Sequence, residues 1–361
     1  MIKHCYVHIP FCSSICSYCD FPKMLYEKKF INSYLNALEN EIKEIYKGDM
    51  LDTLYIGGGT PSSLSIDELK RLFDILKTFK LSESYEYTVE CNLENLDIDK
   101  LKLFKSYGVN RLSIGVQTFN KNYLSFLNRK TCDISIIEEA KKLGFNNINV
   151  DLIYALKDET LEDLDKDLNK FLSLDINHIS TYSLIIENNT VLSINNIKPI
   201  DEDIDFDMYN LICKKLSDNG YVHYEVSNFA RTGYESKHNL AYWNNQEYYG
   251  FGLGAASYID SMRVTNTKSI FKYINGEYRY QVEKLTKKDK MEYEMILGLR
   301  KMKGVNIIDF KNKYGVSIDE YFNIEKLLKE GKLIKDDGYI KISSDYIYLS
   351  NDILINFIGE E

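Results

Sequence analysis

Short apolar runs alternate with amphipathic segments from residue 5 to about residue 185. Runs of four to eight apolar and β-branched residues between turn signals read as strands, and apolar positions at i, i+3 and i+4 read as helices. The pattern predicts strands at Cys5–Ile9, Leu51–Ile56, Tyr85–Cys91, Arg111–Gln117, Asn147–Tyr154 and Ile179–Leu184. Helices are expected at 28–46, after Ser65, at 98–107, 121–127 and 134–143, and at Thr160–Leu174. Ser65-Ile-Asp-Glu68 has the form of a capping box, and Thr160-Leu-Glu-Asp163 offers a similar cap. Six successive strand–helix units call for parallel strands joined by right-handed crossovers. No G-x-G-x-x-G follows the first strand, so an α/β fold with an open, partial (β/α)6 barrel over residues 1–185 fits better than a dinucleotide fold. Residues 186–283 form an extension, with a helix near 203–218, a Tyr-rich strand at 221–226 and then loops dense in Asn and Gly. Residues 284–361 are expected to form a winged-helix-like α+β module. Its helices fall at 288–301, 307–313 and 318–330, and its small ribbon at Lys332-Leu-Ile and Tyr339-Ile-Lys-Ile.

Composition narrows the function. A net charge of −9 leaves no basic surplus for phosphate, which argues against nucleic acid as the main partner. No apolar run approaches the ~20 residues that span a bilayer. The chain enters its first strand almost at once, without room for a targeting peptide, so a cytoplasmic setting is expected.

The chemistry is concentrated in Cys12-x3-Cys16-x2-Cys19. Three thiolates in one loop suit a compact inorganic cluster. A cubane [4Fe–4S] is normally held by four cysteines, so three leave one iron open to bind and activate a ligand. This spacing is the signature of the radical-SAM superfamily. A structural zinc site, completed by His4 or His8, is the competing reading. A disulfide framework is disfavoured by seven cysteines without secretory context. Cys5, Cys91, Cys132 and Cys213 read as small buried hydrophobes. In barrels of this kind ligands gather at the C-terminal strand ends. The cysteine loop, Gly57–Pro61, Glu90, Gln117, Asp151 and the 182–185 segment all fall at or near such ends.

Several motifs together carry a more specific resemblance. Tyr6-x-His-Ile-Pro-Phe-Cys12 through Asp20-Phe21, Gly57-Gly-Gly-Thr-Pro61, Arg111-Leu-Ser-Ile-Gly-Val-Gln117 and Asp151-Leu-Ile-Tyr154 resemble the oxygen-independent coproporphyrinogen oxidase group of radical-SAM proteins. The likeness runs over about residues 5–300. It implies a radical-SAM barrel whose [4Fe–4S] cluster is held by Cys12, Cys16 and Cys19. It further implies S-adenosylmethionine contacts from Tyr6, Tyr18, Gly58, Gly59, Thr60, Glu90, Gln117, Arg129, Asp151 and Ile185. The oxidase branch adds a fourth cysteine, where this chain has Phe21, and an N-terminal extension, where only eleven residues precede Cys12. Both departures match the HemW branch of haem chaperones. His238-Asn-Leu-Ala-Tyr242-Trp243 is similar to that branch's H-N-x-x-Y-W element, which implies haem contact by His238, Tyr242 and Trp243, with His223 a lesser candidate. The glycine run from Gly250 matches the branch too, but Ala256 stands where some relatives carry His. The resemblance implies a chaperone that passes haem to acceptor haemoproteins, membrane-associated respiratory enzymes among the candidates. The alternative is an oxygen-independent coproporphyrinogen III dehydrogenase.

Overall fold

The computed structural model describes residues 1–130 and 133–359. The six expected parallel strands are present: β1 (His4–Ile9), β2 (Met50–Gly58), β3 (Lys80–Asn92), β4 (Arg111–Gln117), β5 (Asn147–Tyr154) and β6 (His178–Ser183). Helices Lys28–Ile45, Ile66–Leu76, Ile98–Ser106, Lys121–Phe126, Ser135–Lys142 and Leu161–Ser173 connect them. Both capping boxes form: the Ser65 amide donates to Glu68 Oε2 at 2.8 Å, and the Thr160 amide donates to Asp163 Oδ2 at 3.3 Å.

Strand side chains alternate between the two faces of a sheet. One face of these strands is apolar: Val7, Ile56, Val89, Leu112, Val150 and Ile179 are fully buried in the main core. Each such burial stabilises by roughly 1.5–3 kcal/mol. The other face is polar and turns inward. Register sets Tyr6 beside Tyr55, Thr88 beside Arg111, Glu90 beside Ser113, and Asp151 beside Ser180. The strands therefore wrap a polar interior between an open C-terminal mouth and an N-terminal floor.

The region expected to be Asn- and Gly-rich loop is largely strand. The expected 221–226 strand forms as β7 (Val222–Glu225); it pairs antiparallel with β8 (Asn228–Ala230), which in turn pairs antiparallel with β6. At the other edge β9 (Tyr248–Phe251) lies parallel to β1 and leads into an antiparallel meander of β10 (Ala256–Ile259), β11 (Met262–Asn266) and β12 (Arg279–Lys284). Among the described residues the result is one twelve-stranded open sheet. Glycine is usually depleted in strands, which is why this run reads as loop. Here it is required by close approach: a Cβ on Gly250 would lie 1.7 Å from the Ala256 carbonyl oxygen.

The C-terminal helices and ribbon enclose their own core, which includes Met295, Phe310, Ile318, Ile340 and Phe357. The ribbon strands β14 (Leu333–Asp336) and β15 (Tyr339–Ile342) gain a third member, β13 (Val305–Asn306). The expected 318–330 helix is two short helices, Ile318–Tyr321 and Glu325–Lys329. Among the described residues, no helix is long and apolar enough to cross a membrane. Cys5 and Cys91 are buried as expected, Cys213 is only half-buried, and Cys132 lies outside the described residues.

Candidate cofactor site at the barrel mouth

The cysteine loop leaves β1 and crosses the mouth. It is pinned at its ends by pairing of Phe11–Cys12 with Met24–Leu25 and along its length by the Ser17 amide, which donates to the Leu127 carbonyl at 3.1 Å. Cys12, Cys16 and Cys19 all line one cavity of about 430 Å³, with Cys12 buried and the other two partly open. Among the described residues, no three Cys, His, Asp or Glu side chains stand close enough to hold a single metal ion. A zinc tetrahedron, with Zn–S near 2.3 Å, would require such a group. The three thiols share the lining of this cavity.

Gly57–Thr60 ends β2 against this loop. A Cβ on Gly59 would lie 2.7 Å from the Pro10 carbonyl and 2.9 Å from Cys12 Sγ, so only glycine lets the backbone pass the cluster loop. Thr60 is buried, its hydroxyl 3.7 Å from Cys12 Sγ, and Asn92 Nδ2 donates to it at 3.0 Å. Gln117 closes β4 with φ +73°, an uncommon left-handed conformation outside glycine, and its buried Oε1 has no partner. Strain and an orphaned acceptor at one residue of a cavity wall mark a place prepared for a ligand.

Arg129 is 7% exposed. Its Nη1 donates to Asn92 Oδ1 at 2.9 Å and lies 3.8 Å from Cys16 Sγ, while Nη2 donates to the Gly115 carbonyl at 2.7 Å and Nε stands 3.2 Å from Glu94. Glu90 accepts from Tyr55 Oη at 2.8 Å and from the Gly58 amide at 3.0 Å. Burial nevertheless pushes its carboxyl up to about 7. Asp151, held by Asn149 Nδ2 at 2.8 Å, is also raised by burial. Carboxylates lining a cavity are suited to accept from the hydroxyls of a ribose.

Tyr18, Gly58, Gly59, Thr60, Glu90, Gln117, Arg129, Asp151 and Ile185 thus line the same cavity as the cysteines. Ile185 forms its rim at 68% exposure, and Phe21, in place of a fourth cysteine, stands there too at 62%. Tyr6 departs from the set. It lies below the cavity, its hydroxyl 3.0 Å from His8 Nδ1 and its ring 6.0 Å from that of Tyr55. Asn92 was not anticipated, although it joins Thr60 to Arg129. Its signal was present: it stands two residues beyond Glu90, on the same strand face.

The His238 element is not at the mouth. Helix Lys237–Trp243 caps the floor, with the Lys237 and His238 amides donating to Glu86 at 3.1 Å each. His238 is 1% exposed, with Nδ1 2.7 Å from Thr53 Oγ1 and Nε2 2.9 Å from Tyr242 Oη. Burial lowers its pKa to about 3. Both ring nitrogens of His238 are thus engaged by neighbours in this arrangement. Trp243 faces the C-terminal module, 5.7 Å from the Arg300 guanidinium. His223 stacks on Phe229 at 4.2 Å and is a packing residue.

Comparison with known proteins agrees with this architecture. Residues 6–171 match the model of the radical SAM superfamily, and residues 285–345 that of the HemN C-terminal domain. The chain is 40% identical to the "Heme chaperone HemW" of Lactococcus lactis, the match covering 99% of this chain and 97% of that protein. It is 39% identical to the HemW of Bacillus subtilis (99% and 100%) and 30% identical to that of Escherichia coli (98% and 98%). The solved structure of coproporphyrinogen III oxidase (HemN) from Escherichia coli superposes with a TM-score of 0.87 at 24% identity, over 99% of this chain and 90% of that one, a likeness of fold. On full-length identity of 30–40% to several of its members, the chain belongs to the HemW family.

Proposed function

We propose that the chain is a cytoplasmic haem chaperone that binds haem and hands it to acceptor haemoproteins, with a [4Fe–4S] cluster and S-adenosylmethionine held at the barrel mouth. The reading is carried by its 40% identity, along 99% of the chain, to a protein described as a haem chaperone. Phe21 supports it, since the fourth cysteine of the oxidase motif is absent.

The mouth fits its two cofactors by donor type. Cys12, Cys16 and Cys19 are the thiolates for the cluster. When bound, a cluster on three thiolates supplies an iron with an open position for the amino and carboxylate groups of S-adenosylmethionine. The Gly58–Thr60 backbone and the Thr60 hydroxyl offer acceptors for the amino group. Arg129 is fixed in the plane that a carboxylate needs, by Asn92 and Gly115. Glu90 and Asp151 accept ribose hydroxyls, and the orphaned Gln117 Oε1 gains a donor. Tyr18 and Ile153 exclude water from the wall.

The test is anaerobic reconstitution followed by two incubations. Haem should give a saturable, near-stoichiometric complex with a Soret band. Coproporphyrinogen III should give no product by mass spectrometry. Robust decarboxylation, or no saturable haem complex, overturns the reading.

A further inference from the structure

A second cavity, of about 640 Å³, opens beneath the barrel floor, between the turn Asn244–Glu247 and the C-terminal module. Its volume lies in the range that takes a cofactor-sized ligand. The turn directly follows the His238–Trp243 helix. In a chain of net charge −9 this cavity is basic: Lys3, Lys287, Lys290 and Lys313 line it, against Glu247. Asp52 takes Lys3 at 3.1 Å and Glu294 takes Lys313 at 2.6 Å. Among the described residues, neither Lys287 nor Lys290 has an acidic partner in ion-pair distance, and Lys290 meets only the Ser261 hydroxyl. Tyr258 and Tyr314, both largely buried, complete the lining.

His4 forms the back of the cavity and is 93% buried, being 7% exposed. Its Nε2 donates to Gln246 Oε1 at 2.7 Å, so a side chain of the turn stands over that nitrogen. Its Nδ1 lies 3.0 Å from Thr53 Oγ1, which lies 2.7 Å from His238 Nδ1. A ligating imidazole is typically oriented through the hydrogen bond of its other nitrogen. The chain Tyr242–His238–Thr53–His4 is built in that form. As it stands, each group donates toward His4, whose Nε2 carries the proton. If every hydrogen bond in the chain reverses, the proton sits on Nδ1, Thr53 accepts it, and the Nε2 lone pair is free once Gln246 swings away.

We propose that this floor cavity is where haem docks, with its propionates on Lys287 and Lys290 and its iron facing His4, and that His238 positions His4 through Thr53. The proposal rests on the haem-chaperone reading and places its cargo at the end of the barrel opposite S-adenosylmethionine.

The experiment titrates the cluster-loaded full chain with haem and with haem dimethyl ester, which lacks free carboxylates. The double variant K287E/K290E should bind haem at least tenfold more weakly, while its iron content and S-adenosylmethionine affinity stay at the parent's values. Wild-type protein should bind the dimethyl ester about as weakly as that variant binds haem. His4→Ala should lose the nitrogen-ligated Soret signature, whereas His238→Ala should keep it with reduced affinity. Wild-type-like haem binding by both K287E/K290E and His4→Ala overturns the floor site but leaves the chaperone reading intact. Failure of the wild-type chain to bind haem at all removes that reading instead, and the floor site with it.

Discussion

The two ends of the barrel are built from the same strands and the same inward polar rows, yet they are finished differently. At the floor most polar groups answer one another: His4, Thr53, His238 and Tyr242 form a closed chain of hydrogen bonds and Glu86 caps the helix above it, with Thr88 Oγ1 and Arg111 Nε left over. At the mouth they do not. Gln117 Oε1 has no partner, Glu90 and Asp151 are raised by burial, and three thiols line the same cavity. A buried polar atom without a partner costs about 1–3 kcal/mol. Gln117 Oε1 belongs to the lining of a cavity that a ligand can fill, whereas the floor chain is satisfied within the protein. A motif's residue types do not separate these cases; the state of its hydrogen bonds does.

The largest expected effect is at the cysteines. Cys12→Ala, Cys16→Ala or Cys19→Ala should abolish the cluster, read as loss of about four irons and four sulfides per chain. Cys213→Ala should retain it. Stoichiometric zinc in the parent protein would erase the distinction drawn here for the mouth.

Arg129→Ala comes next. Removing a buried cation that is hydrogen-bonded on both arms costs about 2–5 kcal/mol of binding, so S-adenosylmethionine should bind at least about thirtyfold more weakly with iron content intact. Unchanged affinity by calorimetry would reject this residue as a contact.

Thr53→Val probes the floor. It leaves His4 Nδ1 and His238 Nδ1 without their shared partner, which should lower unfolding stability by about 1–3 kcal/mol in denaturant titration. S-adenosylmethionine binding should not change. A loss of that binding would mean that floor and mouth are one coupled site.

The smallest effect is a pH slope. Glu90 has its carboxyl raised from 4.5 to about 7 in the folded chain. Between those values the folded state holds more protons than the unfolded state, so the apoprotein loses stability as pH rises through this window. Glu41, raised to about 7, adds to the same slope. Glu90→Gln should flatten the slope in part. A slope identical to the parent's would show that Glu90 is not strained at the mouth.

Much of this was legible in the sequence, for identifiable reasons. β1–β6 followed from apolar periodicity, because their outward face packs on helices. The mouth residues followed from their position at strand ends. The β9–β12 meander was hidden because Gly250 permits a close strand contact that a propensity reading treats as a loop. Tyr6 reads as a mouth residue because motif residues carry no depth: alternation shows the face a residue takes, not its height along the barrel. The lysine-lined cavity joins residues 1–4, 244–261 and 287–314. No local pattern links them.

The separation of the two ends is tested most directly by titrating haem into the cluster-loaded protein with and without saturating S-adenosylmethionine. The expected result is one haem per chain in both titrations, with affinity unchanged within about twofold and S-adenosylmethionine still bound, since 1.4 kcal/mol would already be tenfold. Mutual exclusion, with each haem bound displacing one S-adenosylmethionine, would contradict it and place both ligands at the mouth.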